Sequence, residues 1–144
     1  MMTDDRTGNN RKEGKHIMKK VETKNAPAAI GPYSQAIVTN GLVYTSGQIP
    51  IDPATGSIET EGIEAQTEQA LKNLIAVLKA SGSGPDAVVK TTCFLSDIGN
   101  FAAFNSVYEK YFTGKPARSC VEVSALPKGA LVEIEAIAEI AAES

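Results

Sequence analysis

The chain has 144 residues, 42% of them hydrophobic and 22% charged, with a formal net charge of −3. That length and balance describe one ordinary domain with a core of its own, and they exclude fibrous and low-complexity classes. The charge is uneven: residues 1–20 hold six basic and three acidic side chains, whereas residues 21–144 hold eight basic and fourteen acidic ones, a net of −6. Capture of a phosphate backbone calls for a clustered basic face, so nucleic acid is not the expected partner.

No stretch approaches the roughly 18 apolar residues that span a bilayer, and the polar N-terminus lacks the apolar centre of a signal peptide. Cys93 and Cys120 are too few for a disulfide scaffold and lack the spacing of a zinc site. The expectation is a soluble cytoplasmic protein in a reducing compartment, with no membrane partner and no metal.

In chain order, residues 1–17 are polar and aperiodic and precede a second candidate start at Met18. They read as a disordered extension, leaving 18–144 as the single domain. His16, the only histidine, falls in that extension. The body therefore cannot build a Ser/His/Asp triad or a Cys/His dyad, and its chemistry must use other groups.

Asn40-Gly41, set between two β-rich runs, is the two-residue hairpin signal, so 36–39 should pair with 42–47. "IDPATG" then makes a turn. Residues 61–80 place Thr67, Ala70, Leu71, Leu74 and Leu78 on one helical stripe. Residues 87–95 are rich in β-branched side chains and read as a strand. The segment "NFAAFNSVYEKYF" repeats Phe101, Phe104, Tyr108 and Tyr111 at helical spacing, a stripe expected in the core.

Strands over 117–124 and 131–141, joined by a turn around Pro127 and Gly129, complete the order ββαβαββ. This is an α+β domain with one mixed sheet and both helices on one face. Those last strands are expected to pair as neighbours, and the alternation of Ser119, Val121 and Val123 with that of Val132, Ile134, Ala136, Ala138 and Ile140 turns both apolar sets to the helices. Arg118, Cys120 and Glu122 then share the opposite face with Glu133, Glu135 and Ile137. From residue 21 onward the chain carries seven lysines and one arginine, Arg118. Two readings of this face stay open: a solvated surface with cross-strand ion pairs, or a cleft covered by another subunit, where Arg118 binds a carboxylate bidentately.

Four blocks, "NAPAAIGPYSQAI", "YTSGQIP", "VVKTTCFLSD" and "PARSCVEVSALPKGALVEIEAIA", resemble the RidA/YjgF (Rid) family, and the likeness runs over residues 21–140. It implies a chorismate-mutase-like fold and a homotrimer with sites in the clefts between subunits. It also implies cofactor-free hydrolysis of reactive enamines and imines, such as 2-aminoacrylate released by pyridoxal-phosphate enzymes, to 2-oxo acids and ammonia. By the same resemblance Arg118 is the carboxylate-binding arginine and Glu133 holds and polarises the attacking water. Tyr33 and Ser46 line the cleft. Cys120 and the amide of Gly47 meet the ligand, with the thiol read as a contact rather than a nucleophile. Asn105 also falls on a family position. Two other classes stand beside the deaminase: a trimeric small-carboxylate-binding or chaperone-like module without turnover, and an RNA-directed nuclease.

Overall fold

A computed structural model of the chain describes residues 17–141. The reading of 1–17 as a polar extension carrying His16 falls, apart from Ile17, outside these residues.

The elements are β1 (Lys19–Val21), β2 (Ala36–Thr39), β3 (Leu42–Thr45), β4 (Ile51–Asp52), β5 (Ser57–Ile58), α1 (Ile63–Ala80), β6 (Val88–Leu95), α2 (Phe101–Tyr111), β7 (Ala117–Glu122) and β8 (Val132–Glu139). The ββαβαββ order is present as β2-β3-α1-β6-α2-β7-β8, with β1 added before it. The "IDPATG" turn is the tip of a small separate hairpin, β4-β5. β2 and β3 pair as the Asn40-Gly41 signal requires, and both turn residues take positive φ, 51° and 80°.

The main sheet runs β1-β2-β3-β8-β6-β7. Every neighbouring pair is antiparallel except β6 with β7, which is parallel. Parallel neighbours need a crossover, and α2 supplies it, so β6-α2-β7 is a βαβ unit. The expected β7-β8 hairpin is therefore absent: β8 inserts between β3 and β6, and β6 separates it from β7.

Topology also corrects the assignment of faces. Thr91, Cys93 and Leu95 of β6 stand opposite Arg118, Cys120 and Glu122 on one side and opposite Ala136, Ile134 and Val132 on the other. Opposed residues share a face, so Arg118 and Cys120 point to the helix side, with the core. Ser119 and Val121 join Thr92, Phe94, Glu133 and Glu135 on the open side. The apolar alternation of β8 does face the helices, whereas that of β7 does not.

Between sheet and helices, Thr67, Ala70, Leu71, Leu74 and Leu78 of α1 are all fully buried, as their stripe predicts. Each leucine placed there contributes about 1.5–3 kcal/mol. Phe104 and Tyr108 of α2 are buried too, but Phe101 is 37% exposed at the helix's first turn. Among the described residues no layer covers the open face, which carries apolar side chains: Val121 is 45% exposed and Tyr44 43%.

Candidate active site

The sequence-predicted residues divide into two groups on opposite faces of the sheet. The first surrounds Glu133, on the open side of β8.

β3 pairs with β8 as far as Tyr44↔Ile137, and pairing resumes at Gln48↔Ile134. Three residues of the first segment lie between those pairs against two of the second, which is a β-bulge. Thr45 Oγ1 bridges the gap by accepting from Ala136 N at 3.0 Å. Gln48 N and Ile134 N then exchange bonds with the facing carbonyls at 2.8 and 3.0 Å. The bulge lays Gly47 directly against the Glu133 side chain.

A cleft of about 720 Å³ opens here, lined among others by Tyr33, Ser46, Gly47, Lys128, Glu133 and Glu135. Tyr33 is 54% exposed at its edge. Buried Gln35 fixes the loop that carries Tyr33, accepting from Thr23 N at 2.7 Å and donating to Pro27 O at 2.7 Å. The Ser46 hydroxyl donates to Ser34 O at 2.6 Å. Its proton thus ties β3 to that loop, while its lone pairs stay available to a ligand. Partial burial, reinforced by Glu135, holds the Glu133 carboxyl above its usual range.

The second group surrounds Arg118. Its guanidinium lies 4.8 Å from the ring centre of Tyr108, 5.4 Å from Phe101 and 5.9 Å from Phe104. Nη1 donates to Asn105 Oδ1 at 2.7 Å. The aromatic stripe of α2, expected only to fill the core, is also the seat of the arginine. Cation–π attraction and one neutral amide hold the fork in place, and among the described residues no carboxylate accepts a hydrogen bond from it. The signal was available in the spacing, since Phe101, Asn105 and Tyr108 recur at helical intervals on one side of α2.

Cys120 follows Arg118 on the same face, beside buried Cys93 of β6. The adjacent Cys93 thiol and the nearby guanidinium outweigh burial and bring the Cys120 thiol down to about 7. The contact with the Cys120 thiol, with burial behind it, pushes Cys93 well above the thiol range. Glu122, expected beside these groups, instead turns its carboxylate to Ile98 N at 2.8 Å and braces the turn before α2. Among the described residues no cluster of His, Cys, Asp or Glu is arranged to hold a metal ion, and no helix is long and apolar enough to cross a membrane.

One sheet under one helical layer thus carries an anchored arginine on its helix side and a half-buried glutamate beside a glycine bulge on its open side. The profile of the family described as endoribonuclease L-PSP matches residues 23–140, and the chain belongs to this family, which includes the Rid/YjgF proteins. The 2-iminobutanoate/2-iminopropanoate deaminase of Salmonella typhimurium is 50% identical over 126 residues, spanning 85% of this chain and 98% of its own. Among solved structures, the Rid-family protein YyfA from Yersinia pestis is 58% identical with a TM-score of 0.83, covering 86% of this chain and 100% of its own. Escherichia coli TdcF with bound serine is 42% identical with a TM-score of 0.81, covering 85% and 99%.

Proposed function

We propose that this protein hydrolyses small 2-imino acids and their enamine tautomers to 2-oxo acids and ammonia, in sites completed by a second copy of the chain. The observation that carries the reading is the division of the site. Arg118 and Glu133 are the complementary halves of an imino-acid site, yet one chain holds them on opposite faces of its sheet. The relative named as a deaminase and the relative holding serine support a small amino- or imino-acid ligand. The exposed Val121 and Tyr44, on a sheet face that no described element covers, support self-association as a homotrimer.

Arg118 grips the substrate carboxylate with two parallel N–H donors. A water held by Glu133 adds to the imine carbon while Glu133 takes its proton, a role suited to a carboxyl whose affinity for protons is already raised. The nitrogen takes that proton back to give the carbinolamine; the hydroxyl proton then passes by way of Glu133 to the same nitrogen, the C–N bond breaks, ammonia leaves, and the C–O bond becomes the carbonyl. One water enters and one ammonia departs, with no redox change. The imine carbon is already electrophilic, so the step calls on no cofactor. Cys120 and the Gly47 amide flank the ligand, with Tyr33 and Ser46 as hydroxyl partners and Asn105 as the support of Arg118.

The family's endoribonuclease description raises RNA cleavage as the competing activity. Glu133 and Glu135 line the cleft together and repel a phosphodiester, as does a body near −6. The test is a coupled assay in which a pyridoxal-phosphate dehydratase generates the imine and 2-oxo acid release is followed with and without this protein. Acceleration supports deamination. Binding of 2-oxo acids without acceleration shifts the assignment to a carboxylate-binding module, and RNA cleavage abolished by Glu133→Gln shifts it to a nuclease.

A further inference from the structure

We infer that Cys93 and Cys120 are an oxidisable dithiol, a modification site at which a hydroperoxide converts the two thiols to a disulfide beside Arg118. The two residues are register partners across β6 and β7, the parallel pair of the sheet. Their side chains leave the same face. Adjacent strands lie about 4.7–4.9 Å apart, within the Cα separation of about 4.4–6.8 Å that a disulfide spans. Both thiols are free.

Their surroundings divide the labour between them. Cys120 is half-buried, next to Arg118 and beside the Cys93 thiol, surroundings that favour its thiolate. Cys93 is fully buried, its Sγ donating to Thr91 Oγ1 at 3.8 Å, so it reaches no oxidant except through Cys120. Neither thiol has work in the hydrolysis beyond Cys120's contact with the ligand, and Cys93 has none.

In the first step the Cys120 thiolate attacks one peroxide oxygen. The O–O bond breaks, the sulfur loses two electrons to become a sulfenic acid, and the departing hydroxide or alkoxide takes a proton to leave as water or alcohol. In the second, Cys93 sulfur attacks Cys120 sulfur, the S–O bond breaks, and the released hydroxide combines with the Cys93 proton as water. Two thiols and one peroxide thus give one disulfide. Any effect on turnover, through loss of the thiolate beside Arg118, rests on the function proposed above; the dithiol does not.

The experiment treats the full chain with a few equivalents of hydrogen peroxide, alkylates it in denaturant, and measures intact and peptide masses. The expected result is that both thiols vanish together, the mass falls by two hydrogens, the Cys93 and Cys120 peptides are joined within one chain, and dithiothreitol restores both thiols. Cys120 gaining oxygens while Cys93 still alkylates overturns the inference, as does survival of both thiols or a bridge between chains. Cys93→Val keeps the buried site apolar and β-branched; in it, Cys120 is expected to pass on to the sulfinic acid, raising the fraction that dithiothreitol cannot recover about tenfold. Full recovery in that variant also overturns the inference, and the wild-type masses decide alone if the variant does not fold. Imine turnover measured on the same samples separates the two ideas. A disulfide in a protein without turnover defeats only the deaminase, and turnover without a disulfide defeats only the dithiol.

Discussion

Gly47 and Glu133 pack so closely that no side chain fits between them: a Cβ on Gly47 would stand 2.7 Å from Glu133 Cδ and 2.9 Å from Cγ. Such approaches are tighter than packed atoms tolerate, so the glycine fixes where the carboxylate rests. Gly47→Ala should displace the Glu133 side chain while leaving the bulge hydrogen bonds of Gln48 and Ile134 intact. Turnover of an imine should fall about 10²-fold, the cost of misplacing a reacting group by an ångström, with the fold unchanged by circular dichroism. An alanine variant with wild-type kcat means that Glu133 need not occupy this position.

Glu133→Gln separates the chemical and structural costs of the carboxylate. It keeps the shape of the side chain and removes its capacity to take a proton, so kcat should drop about 10²- to 10⁴-fold. The same change should raise the melting temperature at neutral pH. Burial and Glu135 lift the folded-state pKa above the usual glutamate value of 4.5, so the protonated form is favoured in the fold. The stability this gives is fully present below about 4.5 and is lost as pH rises through the folded value. The melting curves of variant and wild type should therefore separate at neutral pH and converge below 4.5. A variant less stable than wild type at pH 7 contradicts this account of Glu133.

Arg118 is held by geometry that lysine cannot reproduce. A planar guanidinium stacks against Phe101 and Tyr108 and gives one donor to Asn105 while keeping others for a ligand. Arg118→Lys should lower kcat/KM about 10²-fold or more despite keeping the charge, and Asn105→Ala should lower it less by loosening the same fork. Calorimetric titration with a 2-oxo acid reads the loss directly. Wild-type affinity in Arg118→Lys assigns the carboxylate to another partner.

Much of this arrangement was legible in the sequence, and the illegible part has a definite cause. Local signals carried the Asn40-Gly41 hairpin, the buried stripe of α1 and the inward alternation of Val132, Ile134 and Ala136, because each depends on residues near one another in the chain. Strand order depends on competition between distant partners. The short turn at Pro127–Gly129 resembled a hairpin connection, yet the crossover through α2 sets β7 parallel to β6 and leaves β8 to pair elsewhere. That one change of neighbour moved Arg118 and Cys120 to the helix side. It also explains why Arg118 has aromatic neighbours, which a strand-only reading of residues 117–124 could not provide. The Gly47 bulge was hidden for a related reason: its purpose appears only once β8 lies alongside.

Placing Arg118 and Glu133 on opposite faces leads to the sharpest prediction, about assembly. If each site takes Arg118 from one copy and Glu133 from the next around a closed ring, light scattering should give a trimer at micromolar concentration. Arg118→Ala and Glu133→Gln should each be nearly inactive alone. Unfolded together in equal amounts and refolded, they form mixed rings in which some interfaces receive the intact arginine from one variant and the intact glutamate from the other. Random mixing restores about a quarter of the sites, so activity should return to roughly that share of wild type. The double variant Arg118→Ala/Glu133→Gln, refolded with wild type, should only dilute it. A site built within one chain cannot be repaired this way. If the refolded mixture stays as inactive as its components while trimers form normally, the division of the site between copies is wrong, and Arg118 and Glu133 do not act on the same substrate.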